Sequence, residues 1–387
     1  MSRSDAKQNL LCSPPVLIGG AAFLLGVTGV LTIASSRYAM AYPDALLAKQ
    51  ALFLVIGLAV MFVTAAVPFR LYRRFAPILG GFGLLLLMTL MAIPMFQSEG
   101  ASPLCGVWRI HGMLGWFRIG GVSLQPSELM KAPFLLILAM ILARREISEF
   151  RRFLFGSLWM LVWIIPVAMQ PDFGTAVIYF GAFVLLYFAI GGKLAYLVIP
   201  LPAGAAAAAL FIYRHQYAWK RLTAFVDPAG DPQASGWHAR QFEMAIARGH
   251  FFGVKLGSAV WSNNYLPFPY NDSAFATLSE TLGLAGGALV CAALILLASS
   301  LWRLGNAKGL PTENRIFVIG AMLLLTFQSM IHISVNLCLL PTTGLTMPFV
   351  SYGGSSLIGC FWLLGMALSA GAERKEGNDT KQSTEDI

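Results

Sequence analysis

The chain has 387 residues, of which 57% are hydrophobic and only 12% charged, where a soluble domain carries about 25% charged residues. That balance excludes an ordinary soluble globular protein and indicates an integral membrane protein. The net charge of +9 would suit a nucleic-acid partner, but in a membrane protein a Lys/Arg surplus marks cytoplasmic loops, and no nucleic acid is expected.

Residues 1–13 are polar and lead into an apolar run at about 14–36. The apolar part of a signal peptide is roughly 7–15 residues long, so this longer run is expected to be retained as a helix. A spanning helix needs about 20 mostly apolar residues. Ten stretches qualify, at about 14–36, 50–68, 76–97, 126–143, 153–169, 173–191, 194–213, 274–301, 315–338 and 348–371. The expected fold class is an all-α integral membrane protein of about ten transmembrane helices, with a large extracytoplasmic loop between helices 7 and 8. The expected organisation is a cytoplasmic segment 1–13, a membrane domain 14–371 with its long loop at about 214–273, and a disordered cytoplasmic tail 372–387.

The basic residues give the orientation. With the N-terminus inside, the cytoplasmic segments carry Arg3 and Lys7, Arg70, Arg73 and Arg74, Arg144, Arg145, Arg151 and Arg152, Lys193, Arg303, Lys308 and Arg315, and Arg374, Lys375 and Lys381. The short outer loops carry only Arg37, Lys49, Arg109 and Arg118. Both termini are therefore expected in the cytoplasm, because inside loops are enriched in Lys and Arg. The five cysteines (Cys12, Cys105, Cys291, Cys338 and Cys360) form no CxxC pair and the five histidines do not cluster. Neither a disulfide framework nor a zinc site is expected.

Several polar residues lie where a membrane protein should avoid them. Glu128 and Lys131 open the fourth span in "QPSELMK", and their i,i+3 spacing puts them on one helix face. They read either as an ion pair snorkelling to the interface or as part of a cavity. Pro126 suits a first helical turn, with Ser127 or Gln125 as cap. Asp172 in "QPDFGTA" reads as a cap favoured by the helix dipole, and Gly174 would admit a close neighbour. Glu280, one to two turns into the eighth span, reads equally as a buried, hydrogen-bonded carboxyl or as part of a polar groove. The long loop contains "FVDPAGDPQASGWHARQ" (225–241), with Asp-Pro at 227–228 and again at 231–232; Asp-Pro forms turns. The last loop, "NLCLLPTTGLTMPFVSYGGSS" (336–356), has no charge but many hydroxyls, suited either to cradling a sugar or diphosphate or to helix packing.

"GWFRIGGVSLQPSELMK", "QPDFGTA", "FVDPAGDPQASGWHARQ", "YLPFPYND" and "PTTGLTMPFVSYGGSS" occur in this order between the spans. Together they resemble the SEDS family (shape, elongation, division and sporulation), across nearly the whole chain. "PTTGLTMPF" resembles the cell-division branch (FtsW) more than the elongation branch (RodA). The resemblance implies a peptidoglycan glycosyltransferase of the bacterial inner membrane that polymerises lipid II into glycan strands. It also implies a cognate class B penicillin-binding protein as transpeptidase partner, alongside other divisome or elongasome membrane proteins. The family's catalytic aspartate falls on Asp231, and its helix-four ion pair on Glu128 and Lys131. The chain departs from the family pattern at Phe268, Tyr270 and Asn271, where the family has an acid, a histidine and a threonine, and at Gly115, where it has an arginine.

The chemistry suits these residues. Displacing a diphosphate from the α-linked donor by the acceptor 4-hydroxyl inverts the sugar carbon. One general base is enough, without the paired carboxylates of glycoside hydrolysis. Asp231 is the expected base and Asp227 the turn former. Arg118, Lys131, Lys220, Arg221 and Arg240 are candidates for the diphosphate, since arginine forks suit phosphate; Asp272, Ser351 and Tyr352 are further candidate contacts. No cofactor is evident, and a divalent cation at the diphosphate remains open. A lipid II flippase and a non-catalytic scaffold for the penicillin-binding protein are the rival readings.

Overall fold

The computed structural model describes residues 13–35, 43–96, 107–110, 113–119, 122–198, 200–214, 216–227, 235–254, 257–266 and 268–373. Away from water the backbone must satisfy its own hydrogen bonds, and an apolar run does so as a helix. In chain order the helices are α1 (Pro14–Ser35), α2 (Pro43–Ala66), α3 (Phe69–Phe96), α4 (Pro126–Leu129), α5 (Lys131–Ala143), α6 (Glu149–Met169) and α7 (Phe173–Ala189). A 3-10 turn at Leu194–Val198 leads to α8 (Pro200–Arg214), followed by α9 (Gln216–Val226), α10 (Ser235–Arg248) and α11 (Val260–Asn264). The last three are α12 (Ala274–Gly305), α13 (Thr312–Asn336) and α14 (Gly354–Ala372).

Each expected span overlaps an apolar helix among the described residues, though not with the same bounds. Among the described residues, eight helical segments are long and apolar enough to cross a membrane unaided. The other two, α5 and α7, are shorter, at 13 and 17 residues. The expected span at 126–143 is interrupted: Met130 leaves the helical region (φ −86°, ψ 10°) and divides α4 from α5. α5 alone rises only about 20 Å at 1.5 Å per residue. A span that begins with a broken turn is where Glu128 and Lys131 sit.

Two of the expected loops contain regular secondary structure. Between α3 and α4 lies a three-stranded antiparallel sheet of β1 (Val107–Ile110), β2 (Met113–Ile119) and β3 (Val122–Leu124). Phe117 faces both Val107 and Leu124, and the β1–β2 register shifts between Trp108 and Ile110. The expected all-α class thus gains a small sheet. The segment between spans seven and eight contains the three helices α9, α10 and α11.

The helical bundle has one large core. α14 packs against α2, α12 against α1 and α13, and α13 also against α5 and α7. Phe134, Trp163 and Tyr179 meet edge to face or tilted, with ring centroids 4.6–5.9 Å apart. The segment at 194–214 is the exception, since almost none of it is buried against the rest of the chain.

Candidate functional site

Three of the motifs separated in sequence meet inside the bundle. Pro126 occupies the first turn of α4, as expected, but Gln125 at the cap position makes no side-chain cap. Its amide nitrogen instead donates to Asp172 Oδ2 (3.0 Å), and Ser127 Oγ donates to the same oxygen (3.4 Å). Asp172 is the N-cap of α7, accepting from Thr175 N at 3.1 Å through Oδ1. It is therefore a cap, and also the joint between "QPSE" and "QPDFGT".

Glu128 and Lys131 do not snorkel. They are 4% and 3% exposed, with Lys131 Nζ 2.6 Å from Glu128 Oε1. Lys131 also donates to Gln328 Oε1 of α13 at 2.8 Å. A snorkelling pair needs a clear path to water, and here α13 and α14 close over it. Gln328 Nε2 then donates to Thr346 O (2.8 Å), and Thr346 Oγ1 lies 3.0 Å from Ser356 Oγ. The uncharged last loop is thus tied to the buried ion pair through α13. Gly174 serves this contact: a Cβ there would lie 2.7 Å from Leu345 Cγ and 3.2 Å from Thr343 O.

Beside this buried network the last loop meets the long segment. Arg221 of α9 donates from Nη1 to Thr342 O at 2.8 Å. Gly344, at φ 74°, lies between Arg221 and Asp272: a Cβ on it would be 3.9 Å from Arg221 Nη1 and 3.7 Å from Asp272 Oδ2. The Asp272 carbonyl accepts from Asn336 Nδ2 (3.0 Å). His238 of α10 is nearby; burial first, and then the charge of Arg221, hold its imidazole below the usual histidine range. Arg221 and Asp272 are thus brought together with "PTTG", joined by His238, which the sequence reading left out.

Ser351 and Tyr352 have other work. Ser351 is buried; its hydroxyl accepts from Met347 N (2.8 Å) and donates to Asn271 O (2.8 Å). Tyr352 N donates to Tyr270 O at 2.7 Å, and the two tyrosine rings meet at 87°. Both candidates hold the 347–352 turn against residues 270–271, two of the positions that depart from the family pattern. Arg118 on β2 and Arg240 on α10 are both exposed. Lys220 belongs to α9, but its side chain lies outside the described residues, as does Asp231 altogether. Asp227 follows α9 and its N–H bonds to Thr223 O (2.8 Å), so the first Asp-Pro ends a helix.

Glu280 is a buried, hydrogen-bonded carboxyl. It accepts from Trp261 N (3.0 Å), from Ser262 N (2.6 Å) and from Ser262 Oγ, with Arg248 Nε at 3.4 Å. The sequence reading also missed Gln328, His332 and Asn336. All three are buried on α13, and His332 Nδ1 lies 2.7 Å from Leu345 O. Their signal was present: three polar residues at i, i+4 and i+8 in an apolar helix share one face.

The family model described as "Cell cycle protein", covering FtsW, RodA and SpoVE, matches residues 16–376. The chain belongs to this family. A protein of Alcanivorax borkumensis named "Probable peptidoglycan glycosyltransferase FtsW" is 33% identical over 365 residues, 91% of each chain. "Stage V sporulation protein E" of Bacillus subtilis is 33% identical over 328 residues, covering 83% of this chain and 85% of its own. One solved chain superposes with a TM-score of 0.72 at 27% identity, covering 92% of this chain and 98% of its own. Its structure is described as "Structural coordination of polymerization and crosslinking by a peptidoglycan synthase complex". The chain is therefore a multi-pass membrane protein of the SEDS type, FtsW-like in its named relatives.

Proposed function

We propose that the chain is a peptidoglycan glycosyltransferase that polymerises lipid II into glycan strands, in septal synthesis during division, beside a class B penicillin-binding protein. The observation that carries this reading is the convergence of "QPSE", "QPD" and "PTTGLTM" on one buried network. At its edge Arg221 and Asp272 flank Gly344, and the α9–α10 connection bears Asp231. In this reading both termini are cytoplasmic and the segment at about 214–273 lies outside, at the level of the lipid headgroups.

Asp231 takes the proton of the acceptor 4-hydroxyl as that oxygen attacks the donor sugar carbon and undecaprenyl diphosphate departs with its bonding pair. Arg221 meets the diphosphate, with Arg118, Lys220 and Arg240 as further cations of the outer surface. Lys131, buried and engaged by Glu128 and Gln328, holds the helix and loop that frame the site. Asp272 lies on the other side of Gly344 from Arg221 and offsets its charge, while Ser351 and Tyr352 fix the last loop. The uncharged hydroxyls of 342–346 suit a sugar.

The test is glycan polymerisation from purified lipid II in liposomes with the penicillin-binding protein, comparing wild type with Asp231→Asn and Asp227→Asn. Removing a general base is expected to slow the reaction by about 10²- to 10⁴-fold, so Asp231→Asn should make no detectable polymer while Asp227→Asn does. Wild-type polymerisation by Asp231→Asn sinks the base assignment. No polymer from wild type, beside an active relative, favours the flippase or scaffold.

A further inference from the structure

α12 has 32 residues, about 48 Å at 1.5 Å per residue, against a hydrocarbon layer of about 30 Å. Its helical geometry breaks at Gly283 (φ 69°, ψ −164°). Beyond the break, residues 284–305 rise about 33 Å, which matches the layer. α1 gives the same level independently. Its 22 residues rise about 33 Å, and Ser35 at its end bonds the Thr281 hydroxyl at 2.5 Å. Two spans therefore put one membrane boundary at residues 281–284.

At that level the backbone of 250–254 replaces the hydrogen bonds the break removes. Leu284 N donates to His250 O and Ala285 N to Phe251 O, while Val254 N donates to Glu280 O, each at 3.0 Å. A Cβ on Gly283 would fall 2.4 Å from Gly253 N, so the two backbones touch. The locked segment turns Phe251 and Phe252 outward, 56% and 80% exposed, with rings edge to face at 4.7 Å. Exposed Leu284, Leu289 and Ile295 continue this apolar surface down α12 into the span. Arg248 turns instead toward Glu280 and the Trp261 ring.

We propose that Phe251 and Phe252 are an interfacial anchor, inserted at the headgroup–acyl boundary of the leaflet on the side that carries α9–α11. Paired aromatic rings continuous with a lipid-facing helix surface fit that depth. The anchor keeps the segment after α8 at headgroup level, and it is driven by the rings rather than by charge. This inference rests on the membrane-spanning fold alone and is independent of the glycosyltransferase reading.

The full chain is reconstituted in phosphatidylcholine vesicles containing a phospholipid with a photoactivatable diazirine near the top of one acyl chain. After illumination, adducts are located by peptide mass spectrometry. Adducts are expected on Phe251 or Phe252 and on Leu284. With the diazirine at the chain terminus, labelling should leave the phenylalanines and move toward Ile295, which is about 16 Å deeper. The F251S/F252S variant should lose the 248–254 adducts and keep those at Leu289. A wild-type 248–254 segment that stays unlabelled while Leu289 and Ile295 are labelled overturns the anchor. So does labelling that appears only when anionic lipid is added.

Discussion

Glu128 and Glu280 are both carboxylates withdrawn from water, yet they are stabilised by different means. Glu128 is neutralised by one opposite charge, Lys131, and its second oxygen, Oε2, is buried with no hydrogen-bond partner in the structure. Glu280 has both oxygens engaged by two peptide N–H groups, a hydroxyl and an arginine edge. The difference follows from what surrounds each. Helices α13 and α14 offer Glu128 side chains only, because their own peptide groups are spent within the helices. Glu280 faces the start of the short helix α11, where unspent N–H groups are available. One carboxylate joins side chains across the bundle; the other pins a loop to a span.

That contrast can be broken at its weaker end first. Removing one partner of a buried pair leaves an uncompensated charge, at a cost of about 3–5 kcal/mol. Lys131→Met should lower thermal stability in detergent by that much, and Glu128→Gln with Lys131→Met should recover most of it. A neutral Lys131→Met would mean that the pair is solvated.

Glu280→Gln keeps the shape but turns an amide N–H₂ toward donors. Hydrogen bonds to a charged group contribute about 1.5–3 kcal/mol, and a loss in that range is expected. Hydrogen exchange should quicken in 249–264 and stay unchanged in α5. Equal quickening in both places would erase the distinction between a loop pin and a bundle joint.

The smallest effect is expected at Ser351→Ala. It removes two hydrogen bonds from the 347–352 turn, and a typical one is worth about 1 kcal/mol. A loss of lipid II binding with no change in stability would instead make Ser351 a substrate contact.

The bundle side of this comparison was partly legible in the chain. The i,i+3 spacing of Glu128 and Lys131 implied that they could pair, but not their depth, because depth depends on α13 and α14 closing over them. The polar stripe Gln328, His332 and Asn336 stands at helical spacing, yet it was missed. Its targets, Lys131, Leu345 and Asp272, lie in other parts of the sequence. Glu280 could be read as buried or as groove-lining, and only the return of α11 decided for burial.

By itself the sequence determined the membrane class and the approximate positions of the long apolar helices, because burying backbone in hydrocarbon demands a long apolar run and local composition reports that directly. It also marked the loops that matter, since charges, Asp-Pro turns and hydroxyls stand out against apolar neighbours. The tertiary structure alone decided the three-stranded sheet, whose strands have seven residues at most and need each other's hydrogen bonds to exist. It alone decided the break at Gly283 as well, where a distant backbone segment supplies the bonds that the helix gives up. Span formation is a local response to solvent. A site built from several separate elements exists only where long-range packing brings their polar groups within bonding distance.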